Sequence, residues 1–176
     1  VMDMIMEVLL NSVILTLFSL IIAYIFGVIV GAYLAWKRAT WVEGFGIPIV
    51  LTIRSAPEFW LGMIGLAVLS FQFDIFPSGG TSAAGVIYEN TLDKLLDINF
   101  YHHLMLPSLV LALYLQGLPL LLMRSNMLEV MQEDFIFMSK MKGLSNWRII
   151  IHHAARNALL PVATAFTLGV GFAFGG

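Results

Sequence analysis

Arg54 and Glu58 are two ionisable residues four positions apart in an otherwise apolar stretch, a spacing that places both on one face of a helix. Charged groups at membrane depth are costly and turn toward a partner or a water-filled cavity. The two therefore read either as a pair beside a conduit or gate, or as a structural ion pair near a membrane interface. Gln116, an amide in another apolar stretch, would line the same conduit or hydrogen-bond a neighbouring helix. The adjacent pairs His102-His103 and His152-His153 invite a metal reading. Neighbours on a helix point about 100° apart, however, and no carboxylate or cysteine completes a site, so no metal site is expected. Cysteine is absent, which removes disulfides and thiol chemistry. An intramembrane hydrolase would need two acids, or Ser with His, at membrane depth, and the histidines fall in segments that read as loops. No catalytic residues are expected in this chain.

The elements that position these residues are apolar. Hydrophobic residues make up 60% of the 176 and charged residues 11%, against about 25% charged in a soluble domain; mean hydropathy is +0.91. So much apolar surface needs a bilayer. The net charge of −2 gives no sign of nucleic-acid binding. Four stretches are long enough to span, at roughly 8–36, 47–73, 104–123 and 158–176, given about 20 residues per crossing. The expected fold is therefore all-α, a single polytopic helical membrane domain over 1–176. Gly27 and Gly31 form a small-xxx-small pair in the first span that allows close helix approach. In the second, Pro57 divides a tilted or interfacial first part from a firmer span. The third holds Pro107 and Pro119. The opening Val1 and the Gly-rich close read as a fragment of a longer protein.

Segment 74–103 has the turn residues Pro77 to Gly80 and four acids against one base, Lys94. It reads as a water-exposed external loop with one short helix near 88–97. Segments 37–43 and 124–157 hold seven of the nine Lys and Arg residues. Four alternating spans put both on one side, which the charge rule makes cytoplasmic. The chain then starts outside, which implies an upstream span.

Segment 124–157 is both basic and rich in large apolar residues. Its pattern predicts two short helices, the first over 127–142 and stopped by Gly143. Lys140 and Lys142 lie in its last turn, where cations favour the helix dipole. Ser145 would cap the second, with Trp147, Ile150 and Ile151 on one face. Met131, Phe135, Phe137, Met138 and Met141 are too many apolar groups for a merely solvated helix. They mark a contact with protein or with lipid headgroups.

The run KGLSNWRIIIHHAARNALLP at 142–161 resembles the cytoplasmic loop signature of binding-protein-dependent ABC importer permeases, in the version of the dipeptide/oligopeptide/nickel subfamily. The likeness continues in Ser125 with Leu128-Glu129-Val130, in Pro57-x-Phe59-Trp60-x-Gly62, in Phe76 to Gly80 and in Leu106 to Leu109. The Phe-Trp-x-Gly element and the Pro-Ser-Gly turn resemble the B-type subunit rather than the C-type. Phe137, Met138 and Ser139 depart from the Glu-Ala-Ala of the wider family, and Met141 from the subfamily's usual Ala. The resemblance implies a pathway-forming permease for peptides, nickel or other small solutes in a bacterial or archaeal plasma (inner) membrane. Its partners would be a C-type permease, two cytoplasmic ATPase subunits and an external substrate-binding protein. ATP and Mg would be held by the ATPase, and this chain would carry no cofactor. It further implies that Lys140, Lys142, Gly143, Leu144, Ser145 and Arg148 meet the ATPase. A secondary transporter driven by an ion gradient, or a non-transport membrane scaffold, is the alternative. The former usually shows internal repeats and charged relays across spans, and neither is evident here.

Overall fold

In the computed structural model, which describes residues 2–82, 86, 88 and 91–175, every regular element is helical. Helix α1 (Met2–Trp36) is the central strut. It packs chiefly on α6 (Gly117–Val130), then on α5 (Ile98–Leu115) and α9 (Arg156–Gly175). Val8–Trp36 and Ile98–Leu115 are long and apolar enough to cross a bilayer. A third candidate arises if α2 (Trp41–Ser55) and the helix after it are one broken span.

The glycines of α1 set its closest packing. A Cβ on Gly27 would lie 2.8 Å from the Pro119 ring and 3.0 Å from the Leu120 amide nitrogen, and one on Gly31 would meet the Leu120 carbonyl oxygen. The α1–α6 contact is therefore backbone on backbone, as the small-xxx-small spacing predicts. Tyr24, Met123, Met127, Ala154, Ala158 and Val162 continue this core toward α9.

The second apolar stretch departs from its expected form. It is helical from Trp41, not 47, and it is not continuous: α2 ends at Ser55, and α3 (Glu58–Gly65) runs on as a wider π-helical stretch, Leu66–Gln72. The two halves meet at 99°. The cause is local. The Pro57 ring disfavours helical backbone at the residue before it; Ala56 is extended at ψ 140° and Pro57 itself caps α3.

The loop expected over 74–103 is shorter than predicted. Asp97 caps α5 by accepting a 2.9 Å hydrogen bond from the Asn99 amide, and it also accepts one from the Tyr88 hydroxyl at 2.8 Å. These two donors, Asn99 first, hold the Asp97 carboxyl below its ordinary range. Helix α5 thus begins six residues before the expected 104, and His102 and His103 lie on it. Within the remaining loop, α4 (Thr91–Leu96) is the short helix expected near 88–97; Gly85 and Glu89 lie outside the described residues.

The third stretch also overruns its predicted end at 123. Gln116 keeps helical backbone angles between α5 and α6. The ladder is interrupted there because Pro119 has no N–H to donate back to the Leu115 carbonyl. Helix α6 then continues to Val130, so the basic segment leaves the helix later than 124.

Helix α9 occupies the fourth stretch from Arg156, two residues before the expected start, and Gly176 lies outside the described residues. α9 follows directly on a second π-helical stretch, Ile149–Ala155.

Candidate functional site

The basic segment folds as a compact elbow. The single helix expected over 127–142 is instead two: α6 ends at Val130, and α7 (Asp134–Met141) starts after a turn at 131–133. Glu133 is extended at ψ 148° in the cap position, and Asp134 occupies the first turn, where a negative charge complements the helix dipole. Ile136 and Ser139 face the core. Phe137, Met138 and Met141 remain 63%, 57% and 73% exposed. A run of large apolar side chains on a helix this polar at its ends is a contact surface without its contact.

Gly143 ends α7 as predicted. Its φ of +71° is left-handed. The Leu144 amide donates to Ser139 at 3.3 Å and the Gly143 amide to Lys140 at 2.9 Å, the paired bonds of a Schellman stop. Ser145 then caps α8 (Asn146–Arg148), its Oγ accepting from the Arg148 amide at 3.4 Å. The expected shared face of Trp147, Ile150 and Ile151 does not form. Ile149 and Ile150 are buried, whereas Trp147 and Ile151 are 62% and 40% exposed, because the π-helical turn changes the angular spacing after Arg148. Lys140, Lys142, Ser145 and Arg148 are all exposed around this elbow and Leu144 is half-buried. The structure thus gathers the six residues expected to act together.

Two contacts hold the elbow to the first basic loop, and neither was visible from sequence spacing. Glu43 accepts from Arg124 Nη2 at 2.5 Å and from Nε at 2.9 Å. Its other oxygen accepts from the Ala39 amide at 2.7 Å, where Ala39 itself sits at φ 59°. Trp147 packs edge-on to Trp36 with centroids 6.0 Å apart. Both basic segments therefore lie at one end of the molecule. At the other end, Lys94 donates to Asn11 at 2.8 Å and a His102 ring nitrogen bonds the Ile75 carbonyl oxygen at 3.0 Å. His103 is occupied by the Asn99 carbonyl oxygen of its own helix.

Glu43→Gln and Arg124→Gln are each expected to lower thermal stability. The pair is forked but partly exposed, so about 1 kcal/mol each is the expected size. The double variant should cost clearly less than the sum, since each single change leaves one charge unpaired. Melting curves of the four proteins in detergent check this, and additive losses would show the contact to be idle.

Arg54 and Glu58 do not form the predicted pair. The helix breaks between them, so the four-residue register no longer applies, and the described residues contain no ion pair joining them. Glu58 lines one cavity, with His103 and the 77–80 turn. Arg54 lines a different one, with Tyr24 and Tyr114. Gln116 is buried and Leu120 donates to its backbone oxygen. Among the described residues its side-chain oxygen has no hydrogen-bond partner, and the residue borders a small apolar cavity of about 150 Å³ between α1 and α5. Among the described residues, no three of His, Asp or Glu converge as metal ligands would.

Residues 27–176 match the family of binding-protein-dependent transport system inner membrane components. The chain belongs to this family. It is 36% identical to the oligopeptide transport system permease protein AppB of Bacillus subtilis, over all of this chain and 54% of that protein. It is 34% identical to the dipeptide transport system permease protein DppB of Escherichia coli K12, over 87% of this chain and 49% of that one. The di/tripeptide permease DppB of Pseudomonas aeruginosa is 32% identical, over 89% and 50% respectively. The chain thus spans about half the length of the curated relatives it matches. Family membership and the apolar helices together make it an integral membrane protein of polytopic helical fold, as its composition requires. The likeness to peptide permeases bears out the resemblance read from the 142–161 run, and the secondary-transporter and scaffold readings are not favoured.

Proposed function

We propose that this chain is part of a B-type permease subunit of an ATP-driven importer for short peptides in a bacterial or archaeal inner membrane. A C-type permease completes the pathway, an external binding protein delivers the solute, and two ATPase subunits, which hold ATP and Mg, sit below. The observation that carries this reading is α7. It offers an exposed apolar face at the basic end of the molecule and is stopped sharply by Gly143, and the segments on either side of it are tied down, α6 by Glu43–Arg124 and α8 by Trp36–Trp147. Such a helix transmits force because its base is fixed on two sides. Movement of the ATPase pair shifts α7, and α6 and α9 carry that shift into the membrane. Lys140, Lys142 and Arg148 supply positive charge around the docking face, while Leu144 and Ser145 shape the exit from it. On this reading α9 is the fourth span, the elbow is cytoplasmic and the 77–80 turn is external.

Cysteine scanning tests it. Cysteines at Met141 and Lys142 are expected to crosslink to the ATPase in the assembled importer, and a membrane-impermeant thiol label is expected to reach Thr81→Cys from outside and Ser145→Cys only from inside. No crosslink at any position along α7 would leave only the lipid surface as its contact. Reversed labelling would invert the orientation.

A further inference from the structure

Arg54 is the one basic side chain in the α2–α3 stretch, and among the described residues it has no hydrogen bond or ion pair. It faces a cavity of about 640 Å³ bounded by α1, α2, α5, α6 and α9, within the size range of small-molecule sites. The polar side chains around it are Ser12, Thr16, Tyr24 and Tyr114. Among the described residues, no acidic one lines this space. The hydroxyls of Ser12 and Thr16 are engaged, donating to the Val8 and Ser12 carbonyl oxygens at 3.0 and 2.8 Å. Those of Tyr24 and Tyr114 have no partner among the described residues. The cavity thus offers a fork of guanidinium donors and two phenolic hydroxyls in apolar surroundings, with no carboxylate among the described lining residues to receive them. A planar oxyanion answers that set, and guanidinium binds carboxylate in two-point fashion.

The arginine is also positioned. Its stem lies across Gly117, where an added Cβ would come within 2.6 Å of Arg54 Cδ and 3.3 Å of Cγ. The absence of a side chain at 117 is what lets the guanidinium cross the start of α6 toward the cavity.

We propose that Arg54, with Tyr24 and Tyr114, forms a subsite for the terminal carboxylate of the transported solute. This rests on the peptide-import reading and goes beyond it by naming the group recognised and the residues that receive it. The separation of Arg54 from Glu58 has a purpose on this view: the broken helix keeps the guanidinium from being neutralised by its sequence neighbour.

The test uses the full-length permease assembled with its partners in nanodiscs. The probe is the tripeptide Ala-Ala-benzoylphenylalanine, as free acid and as C-terminal amide. Photolabelling is read by mass spectrometry at residues lining the Arg54 cavity. The free acid is expected to label them, with the amide about tenfold weaker, the loss expected when a charge-assisted bond is removed. Arg54→Gln should reduce acid labelling to the level of the amide and leave the amide unchanged. Gly117→Ala, which keeps the charge but displaces the stem, should lower acid labelling as well. Equal labelling by acid and amide, labelling indifferent to Arg54→Gln, or no labelling of this cavity would overturn the subsite. A rise in labelling when anionic lipid is omitted would do so too, by making a lipid phosphate the occupant. ATP-dependent uptake of unmodified trialanine is measured in parallel: if the wild-type importer moves no peptide, it is the substrate reading that fails, whatever the labelling.

Discussion

Gly143→Val is expected to cut ATP-driven uptake by at least about tenfold while the chain remains inserted and normally abundant. The argument is one of backbone angle rather than space. A Cβ at 143 would meet nothing within 4 Å, yet φ is +71°. A left-handed conformation costs an ordinary L residue about 1–2 kcal/mol, and a β-branched one more, because its branch crowds the backbone there. The chain would relieve this by turning φ negative. That breaks the Leu144–Ser139 and Gly143–Lys140 bonds that close α7 and redirects the path into α8. A shift of about 1.4 kcal/mol is a tenfold change in the population of the docked geometry. Gly143→Asn should retain most activity, since Asn tolerates the left-handed region. Uptake into vesicles, with ATPase co-purification as the second readout, checks both. Full uptake by the Val variant would detach Gly143 from coupling.

Gly31→Leu should have the larger effect on the fold itself. Its side chain would have to enter where the Leu120 carbonyl oxygen and Met123 Cβ already stand, and a backbone atom cannot swing aside as the end of a flexible side chain can. Overpacking of this kind costs about 1–3 kcal/mol or more, here at the main contact between α1 and α6. The expected result is loss of monodisperse protein, with Gly31→Ala giving a milder fall in melting temperature. Gly44→Ala is the matched control: a Cβ there meets nothing, and replacing helical Gly by Ala gains up to about 1 kcal/mol in helix propensity. A melting temperature that fell for Gly44→Ala and held for Gly31→Ala would refute the packing account.

The long apolar runs betrayed the helices, because a bilayer-facing surface has a composition that cannot be hidden. The stop at Gly143 and the cap at Ser145 were equally legible, as single residues with strong backbone preferences. Polarity misled at the ends. Asn99, His102 and His103 read as loop, although Asp97, the cap that starts their helix, was in plain view. The turn at 131–133 was missed because continuous apolar spacing masked the acidic start of α7. Pro57 announced a break but not its angle, and the break is what dissolved the expected Arg54–Glu58 pair. Glu43 and Arg124 lie 81 positions apart, and no local pattern links them. The open Arg54 cavity was likewise beyond spacing arguments, since five helices contribute to it.

The stretch Ile149–Ala155 has a mechanical consequence. Its hydrogen bonds reach one residue further than in an ordinary helix, so it stores an extra residue between the elbow and α9. Taking that residue back into normal pitch would turn α9 by about 100° and slide it about 1.5 Å along its axis. On the proposed coupling role, pressure on the elbow would emerge as a screw-like stroke of α9.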